Sequence, residues 1–226
     1  MLASRKVETK PGVLGLVSGA VIALGLVVFS SVASFAQDES KPVKLVALGD
    51  SLTAGYQLPP EDAFPVKLEK ALQEKGYNVT VVNAGVSGDT TSGGLSRLDW
   101  SVGDDVDGVI LELGANDALR GLDPSSTRKN LDTMLERLGT RGIPVLIAGM
   151  QAPPNMGSEF GQEFNALYGE LAERHGVLFY PFFLDGVAAQ PELNLGDGIH
   201  PTGEGVSIIV EKILPSVELL IKRTKS

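Results

Sequence analysis

The sequence contains no cysteine, only two histidines and one tryptophan among 226 residues, and its aromatic content is 6%. Without cysteine there is no disulfide framework, no thiolate metal site, no cysteine nucleophile and no thiol to carry a lipid. The two histidines, His175 and His200, restrict any histidine-based chemistry to two positions. A surplus of positive charge is also lacking: 19 Lys and Arg stand against 28 Asp and Glu, a formal net charge of -9. That balance excludes the basic footprint that phosphate-backbone binders need, so no nucleic-acid partner is expected. What is present is a globular composition, with 43% apolar and 21% charged residues. Disordered and fibrous classes are thereby set aside.

The single long uncharged run lies at the N-terminus. Arg5, Lys6 and Lys10 precede the stretch from Gly12 to Ala36, which closes on Ser34-Phe35-Ala36 just ahead of Gln37, Asp38 and Glu39. A basic segment, an apolar segment and a small-x-small end are the parts of a secretory signal. Residues 1–36 are therefore expected to be a signal peptide, with cleavage after Ala36. The competing reading is a retained anchor, since the run is long enough to cross a bilayer of about 30 Å. Either way the domain from 37 to 226 is expected outside the cytoplasm, periplasmic or secreted, and any membrane association runs through that segment alone.

Beyond Lys41, short apolar runs alternate with amphipathic stretches, with no repeat and no linker that would divide the chain. Strands are predicted at Lys44 to Leu48, Val79 to Val82, Val109 to Leu113, Val145 to Ala148 and Val177 to Phe179. Their lack of strict alternation predicts strands buried on both faces. Leucine and phenylalanine at helical spacing mark helices through Phe64, Leu68 and Leu72, through Leu131, Leu135 and Leu138, and through Phe164, Leu167 and Leu171, with a last helix from Gly203 to Ile221. Alternating strands and helices give an α/β fold, a three-layer α/β/α sandwich with a flavodoxin-like, mainly five-stranded parallel sheet. Ligands in such sheets bind beyond the carboxyl ends of the strands, near the point where strand order reverses.

The segments leaving the strands hold the reactive side chains. Gly49-Asp50-Ser51-Leu52 follows the first run, which makes Ser51 the candidate nucleophile. A serine hydroxyl needs a base to take its proton, and histidine serves most often. His175 sits at a helix end before Gly176, where an exposed histidine beside the helix dipole is the expected state. His200 lies in Asp197-Gly198-Ile199-His200-Pro201, with a carboxylate three residues earlier to orient its ring. The alternative for this loop is a cap on the last helix. Ser87-Gly88-Asp89-Thr90 follows the second run and Gly114-Ala115-Asn116-Asp117 the third, so the N–H groups of Ser51 and Gly88 and the side-chain amide of Asn116 are candidate oxyanion donors. Taken singly, these two turns read first as a polar turn with a helix cap and as an Asx-turn; three polar turns at successive strand ends together with an Asp-His loop point to chemistry. Asp50 and Asp117 are expected to hold loop geometry.

These four blocks, in this order, resemble the SGNH hydrolases of the GDSL esterase/lipase superfamily, and the resemblance covers the whole domain. It implies Ser51 as nucleophile, Gly88 and Asn116 as oxyanion donors, and Asp197 with His200 completing the triad. Ala115 stands where a second glycine is frequent. The phrases Leu119-Arg120-Gly121 and Tyr180-Pro181-Phe182-Phe183 look like the exported bacterial subgroup of multifunctional thioesterases, lysophospholipases and arylesterases. The implied partners are small-molecule esters, thioesters or lysophospholipids, with no cofactor and no metal. Leu119, Leu122, Pro153, Pro154 and Met156 are the candidate lining of an acyl groove. A carbohydrate O-acetylesterase, and a binding module without catalysis, are the alternative functions.

Overall fold

The computed structural model describes residues 41–225 together with Glu8; the expected signal segment otherwise lies outside the described residues. Five parallel strands, β1 (Val43–Gly49), β2 (Val79–Gly85), β3 (Gly108–Glu112), β4 (Val145–Ala148) and β5 (Leu178–Tyr180), form one sheet in the order β2-β1-β3-β4-β5. The helices are α1 (Ser51–Ala54), α2 (Phe64–Glu74), α3 (Thr91–Ser96), α4 (Leu98–Ser101), α5 (Ala115–Leu119), α6 (Pro124–Thr140), α7 (Ser158–His175) and α8 (Gly203–Arg223). Helix α2 packs with α8, while α3 and α7 both pack with α6. Parallel strands cannot be joined by hairpins, so each crossover lays its helix on a face, and the layered sandwich follows.

Burial on both faces holds for the middle of the sheet and fails at its edges. Every residue of β3 and β4 is buried, as are residues 45–49 of β1. The edge strands β2 and β5 expose Val82 and Phe179. Apolar runs of this kind do not reveal which strands will be outermost. The other sequence expectation to be corrected is His175, which is not a free surface residue. Its Nε2 lies 2.6 Å from an Asp132 carboxylate oxygen on α6, so the histidine is half-buried and joins two helices.

The register levels the ends of three strands. Gly49 of β1 pairs with Gly85 of β2 on one side and with Glu112 of β3 on the other. Chain order reverses between β1 and β3, so the crevice expected of an open α/β sheet lies beyond Gly49 and Glu112.

Leu111 is fully buried in the central strand, whereas Trp100 is 87% exposed. Leu111→Ala is expected to destabilise the protein by about 2–5 kcal/mol, while Trp100→Ala stays within about 0.5 kcal/mol of wild type, both measured by urea unfolding.

Candidate active site

Ser51 is the first residue of α1, directly off β1. Asp50 caps that helix, its carboxylate accepting from the Leu52 N–H at 3.0 Å. Gly49 has no room for a side chain, because a Cβ there would lie 2.5 Å from Glu112 Oε2 and 2.0 Å from Thr53 Oγ1. The tight strand-to-helix turn beneath Ser51 therefore depends on glycine.

His200 reaches this turn from a loop nearly 150 residues further along the chain. The Asp197 carboxylate accepts from the backbone N–H groups of Ile199 (2.9 Å) and His200 (3.1 Å), and its second oxygen lies 2.7 Å from His200 Nδ1. A carboxylate can only accept here, so Nδ1 carries the proton and Nε2 is left to accept. Nε2 lies 2.9 Å from Ser51 Oγ. Three donors converging on Asp197, the two backbone N–H groups first and His200 after them, hold its carboxyl down at about 2. It thus stays ionised throughout the range in which histidine titrates. The capping alternative does not apply: Thr202 caps α8, accepting from the Gly205 N–H at 3.2 Å. Asn194 steadies the loop from below by donating to the carbonyls of Val187 and Gln190, both at 2.8 Å.

The two turns proposed as oxyanion donors are anchored to the serine turn. Asn116, in the first turn of α5, donates to Asp50 Oδ2 at 3.0 Å, which occupies one of its two amide hydrogens and leaves the other. Asp117 beside it accepts from both the N–H and the hydroxyl of Thr91, the latter at 2.5 Å, tying the α5 loop to α3. Gly88 has φ +81°. The turn containing it closes with a bond from the Asp89 N–H to the Val86 carbonyl at 3.0 Å, so the Gly88 N–H is not consumed in closing it. Arg97 joins the pieces: its guanidinium bonds Asp89 (2.7 Å), the Ala84 carbonyl (2.8 Å) and the Gly49 carbonyl (2.9 Å). Thr90 also caps α3, so that turn serves structure as well.

Beneath the serine two carboxyl groups are buried together. Glu112 accepts from Thr53 Oγ1 at 2.6 Å and from the Asp50 N–H at 3.3 Å, while its other oxygen has no partner among the described residues. Burial, with the neighbouring charge of Asp50 second, pushes Glu112 well above the ordinary carboxyl range. Burial likewise raises Asp50, to about 6, against the lowering effect of the Leu52, Asn116 and His200 groups. Neither Glu112, Arg97 nor Tyr56, whose ring lies 4.5 Å from that of His200, was singled out from the sequence. The charge at Glu112 inside an apolar run was a visible signal.

Comparison with known proteins bears on this geometry. Residues 47–208 match the model of the GDSL-like Lipase/Acylhydrolase family. The chain belongs to this family. It is 41% identical over 189 residues to the arylesterase of Vibrio mimicus, covering 83% of this chain and 93% of that one. It is 34% identical over 186 residues to the Escherichia coli (strain K12) protein named thioesterase 1/protease 1/lysophospholipase L1, covering 78% and 84% respectively. The crystal structure of AlinE4, described as an SGNH-hydrolase family esterase, matches with a TM-score of 0.68 at 44% identity, covering 79% of this chain and 96% of its own.

In this GDSL-like hydrolase a cleft of ≈ 480 Å³ opens beside Ser51, Asn116 and His200. Leu119, Pro153 and Pro154 line it. Leu122 and Met156 do not: Met156 borders a separate surface hollow with Phe160 and Glu163, and Leu122 is exposed beyond the turn at Gly121. The remaining wall comes from Met150, Phe182, Leu184 and Ile199, at the ends of β4 and β5 and on the histidine loop. Among the described residues no group of three or more His, Asp or Glu has a metal-site arrangement.

Asp50 takes up its proton at a higher pH in the folded protein (about 6) than in the unfolded chain (3.8). Across that window the folded state binds more protons, so its contribution to stability is full below about pH 4 and is lost as pH rises through 6. In Asp50→Asn the decline of urea-unfolding stability from pH 4 to pH 6 is expected to shrink; an unaltered decline contradicts the burial of an ionisable Asp50.

Proposed function

We propose that Ser51 performs a two-step acyl transfer, with His200 as general base and Asp197 orienting it. The chain is a carboxylic ester hydrolase; the proposal concerns how it acts and on what. His200 Nε2 takes the Ser51 hydroxyl proton as the oxygen attacks the acyl carbonyl, then returns it to the departing alcohol or thiol. Water, deprotonated by the same imidazole, releases the acid and frees Ser51. The negative oxygen of each tetrahedral intermediate is received by the N–H groups of Ser51 and Gly88 and the free amide hydrogen of Asn116. Loss of one such donor typically costs about a hundred- to a thousandfold in rate. The chemistry balances without a cofactor.

The observation that carries this reading is the continuous contact from Asp197 to His200 at 2.7 Å and from His200 to Ser51 at 2.9 Å. The substrates proposed are aryl esters, lysophospholipids and acyl thioesters, the chemistries in the names of the arylesterase and thioesterase relatives. The apolar wall of Leu119, Met150, Phe182 and Leu184 supports a chain of several carbons as the acyl group. Residues 1–36 are proposed to export the enzyme.

On p-nitrophenyl esters from acetate to palmitate, kcat/KM is expected to peak at medium or long chains and to fall by at least ~10⁴ in Ser51→Ala. A Ser51-dependent activity confined to acetate supports the O-acetylesterase alternative, and activity retained in Ser51→Ala removes the proposed nucleophile.

A further inference from the structure

Helix α5 delivers two different side chains to the reaction centre. Leu119, its last residue, lines the apolar cleft, but Arg120, about 100° further round the helix end, does not. Arg120 is exposed, and its Nη2 donates to the carbonyl of Gly88 at 2.6 Å, on the turn whose N–H is proposed to receive the oxyanion. Asn116, the other proposed donor of that loop, lies one helical turn before Arg120, and the Arg120 N–H bonds the Asn116 carbonyl at 3.1 Å. A positive charge is thus fixed beside the oxyanion donors, outside the acyl cleft.

That charge has no carboxylate partner among the described residues. Arg97, Arg128, Arg137, Arg141 and Arg174 each face an aspartate or glutamate. Of the described arginines only Arg120 and Arg223, which bonds the Gly176 carbonyl, do not. In a chain of net charge -9 a guanidinium beside the Gly88 turn, bonded to a carbonyl and to no carboxylate, stands apart from the paired arginines. One Nη2 bond leaves most of the five guanidinium N–H donors unspent, in the planar fork that suits a phosphate. The guanidinium lies directly against the Gly88 turn, since a Cβ there would stand 3.6 Å from Arg120 Nη2, at ordinary contact distance.

We infer that Arg120 is a leaving-group subsite that binds the phosphate of substrates in which a phosphate ester lies a few bonds beyond the scissile ester oxygen, the chemistry of a lysophospholipid. The inference rests on the Ser51 acyl-transfer reading. With the acyl chain in the apolar cleft, the glycerol side of the ester projects away from it, and a guanidinium beside Gly88 is within the short reach of its phosphate. The phosphate of coenzyme A sits far beyond the thioester along a long arm, so Arg120 favours the lysophospholipid over the thioester. The covalent step is unchanged: the Ser51 oxygen bonds to the acyl carbon, the bond from that carbon to the glycerol oxygen breaks, and the proton held by His200 passes to that oxygen. Glycerol phosphate leaves with its phosphate intact, and Arg120 takes no part in the proton transfer.

The test compares the full-length wild type with Arg120→Gln and Arg120→Lys on 1-lauroyl-lysophosphatidate and on 1-monolauroylglycerol, both below their micelle concentrations, by release of laurate. The expected result is a loss of kcat/KM in Arg120→Gln that is about ten- to hundredfold greater for the phosphate substrate than for the glycerol substrate. Arg120→Lys is expected to recover part of that difference, and glycerol 3-phosphate to inhibit the wild type more strongly than Arg120→Gln. Equal losses on the two substrates overturn the inference, leaving Arg120 as a support for the Gly88 carbonyl, and so does an unchanged ratio without loss. A wild type inactive on both substrates and on p-nitrophenyl esters overturns the Ser51 reading itself, an outcome distinct from either.

Discussion

The bond from the Asn116 amide to the buried Asp50 carboxylate joins the two loops that flank the reversal of strand order, one bearing Ser51 and the other a proposed oxyanion donor. Asp50 spends one oxygen on the Leu52 N–H, which shapes the nucleophile turn, and the other on Asn116, which orients the facing loop. A single side chain thus ties the turn of the proposed nucleophile to that of a proposed oxyanion donor. Arg97 and the Asp117–Thr91 pair extend the same scaffold to the Gly88 turn and α3. Preorganisation of this kind lets donors wait where charge will develop, without reorganising during the reaction.

The carboxyl groups around the site are sorted by environment. Asp197, ringed by two backbone N–H groups and the imidazole, is held ionised at about 2. Asp50 and Glu112, buried beneath the serine turn, are raised by that burial. Only the first has the fixed charge suited to orienting His200 and stabilising its protonated form; the other pair shapes the turn beneath Ser51. Tyr56 covers one side of the His200 ring, tilted by 41°, and limits the directions in which that ring can move.

Much of this was legible in the sequence because the relevant signals are local. Continuous apolar runs marked all five strands, and the polar, glycine-rich phrases after them marked the loops that carry Ser51, Gly88, Asn116 and His200. What was not legible depends on contacts between distant segments. Edge and centre strands alike are short runs of mainly apolar residues, so the exposure of Val82 and Phe179 follows only from strand order. The pairing of His175 with Asp132 needs two helices brought together. The cleft was read from two loops, whereas Met150, Phe182 and Leu184 enter it from strand ends that the sequence did not place beside Ser51, and Met156 turns elsewhere.

The central claim is that His200 and Asp197 make Ser51 a nucleophile. The most direct measurement is the mass of the full-length protein, and of its proteolytic peptides, after reaction with a fluorophosphonate. The account predicts one adduct, on Ser51, formed at a rate that falls steeply in His200→Ala. An adduct at another residue, or one on Ser51 that forms equally fast without His200, would contradict it.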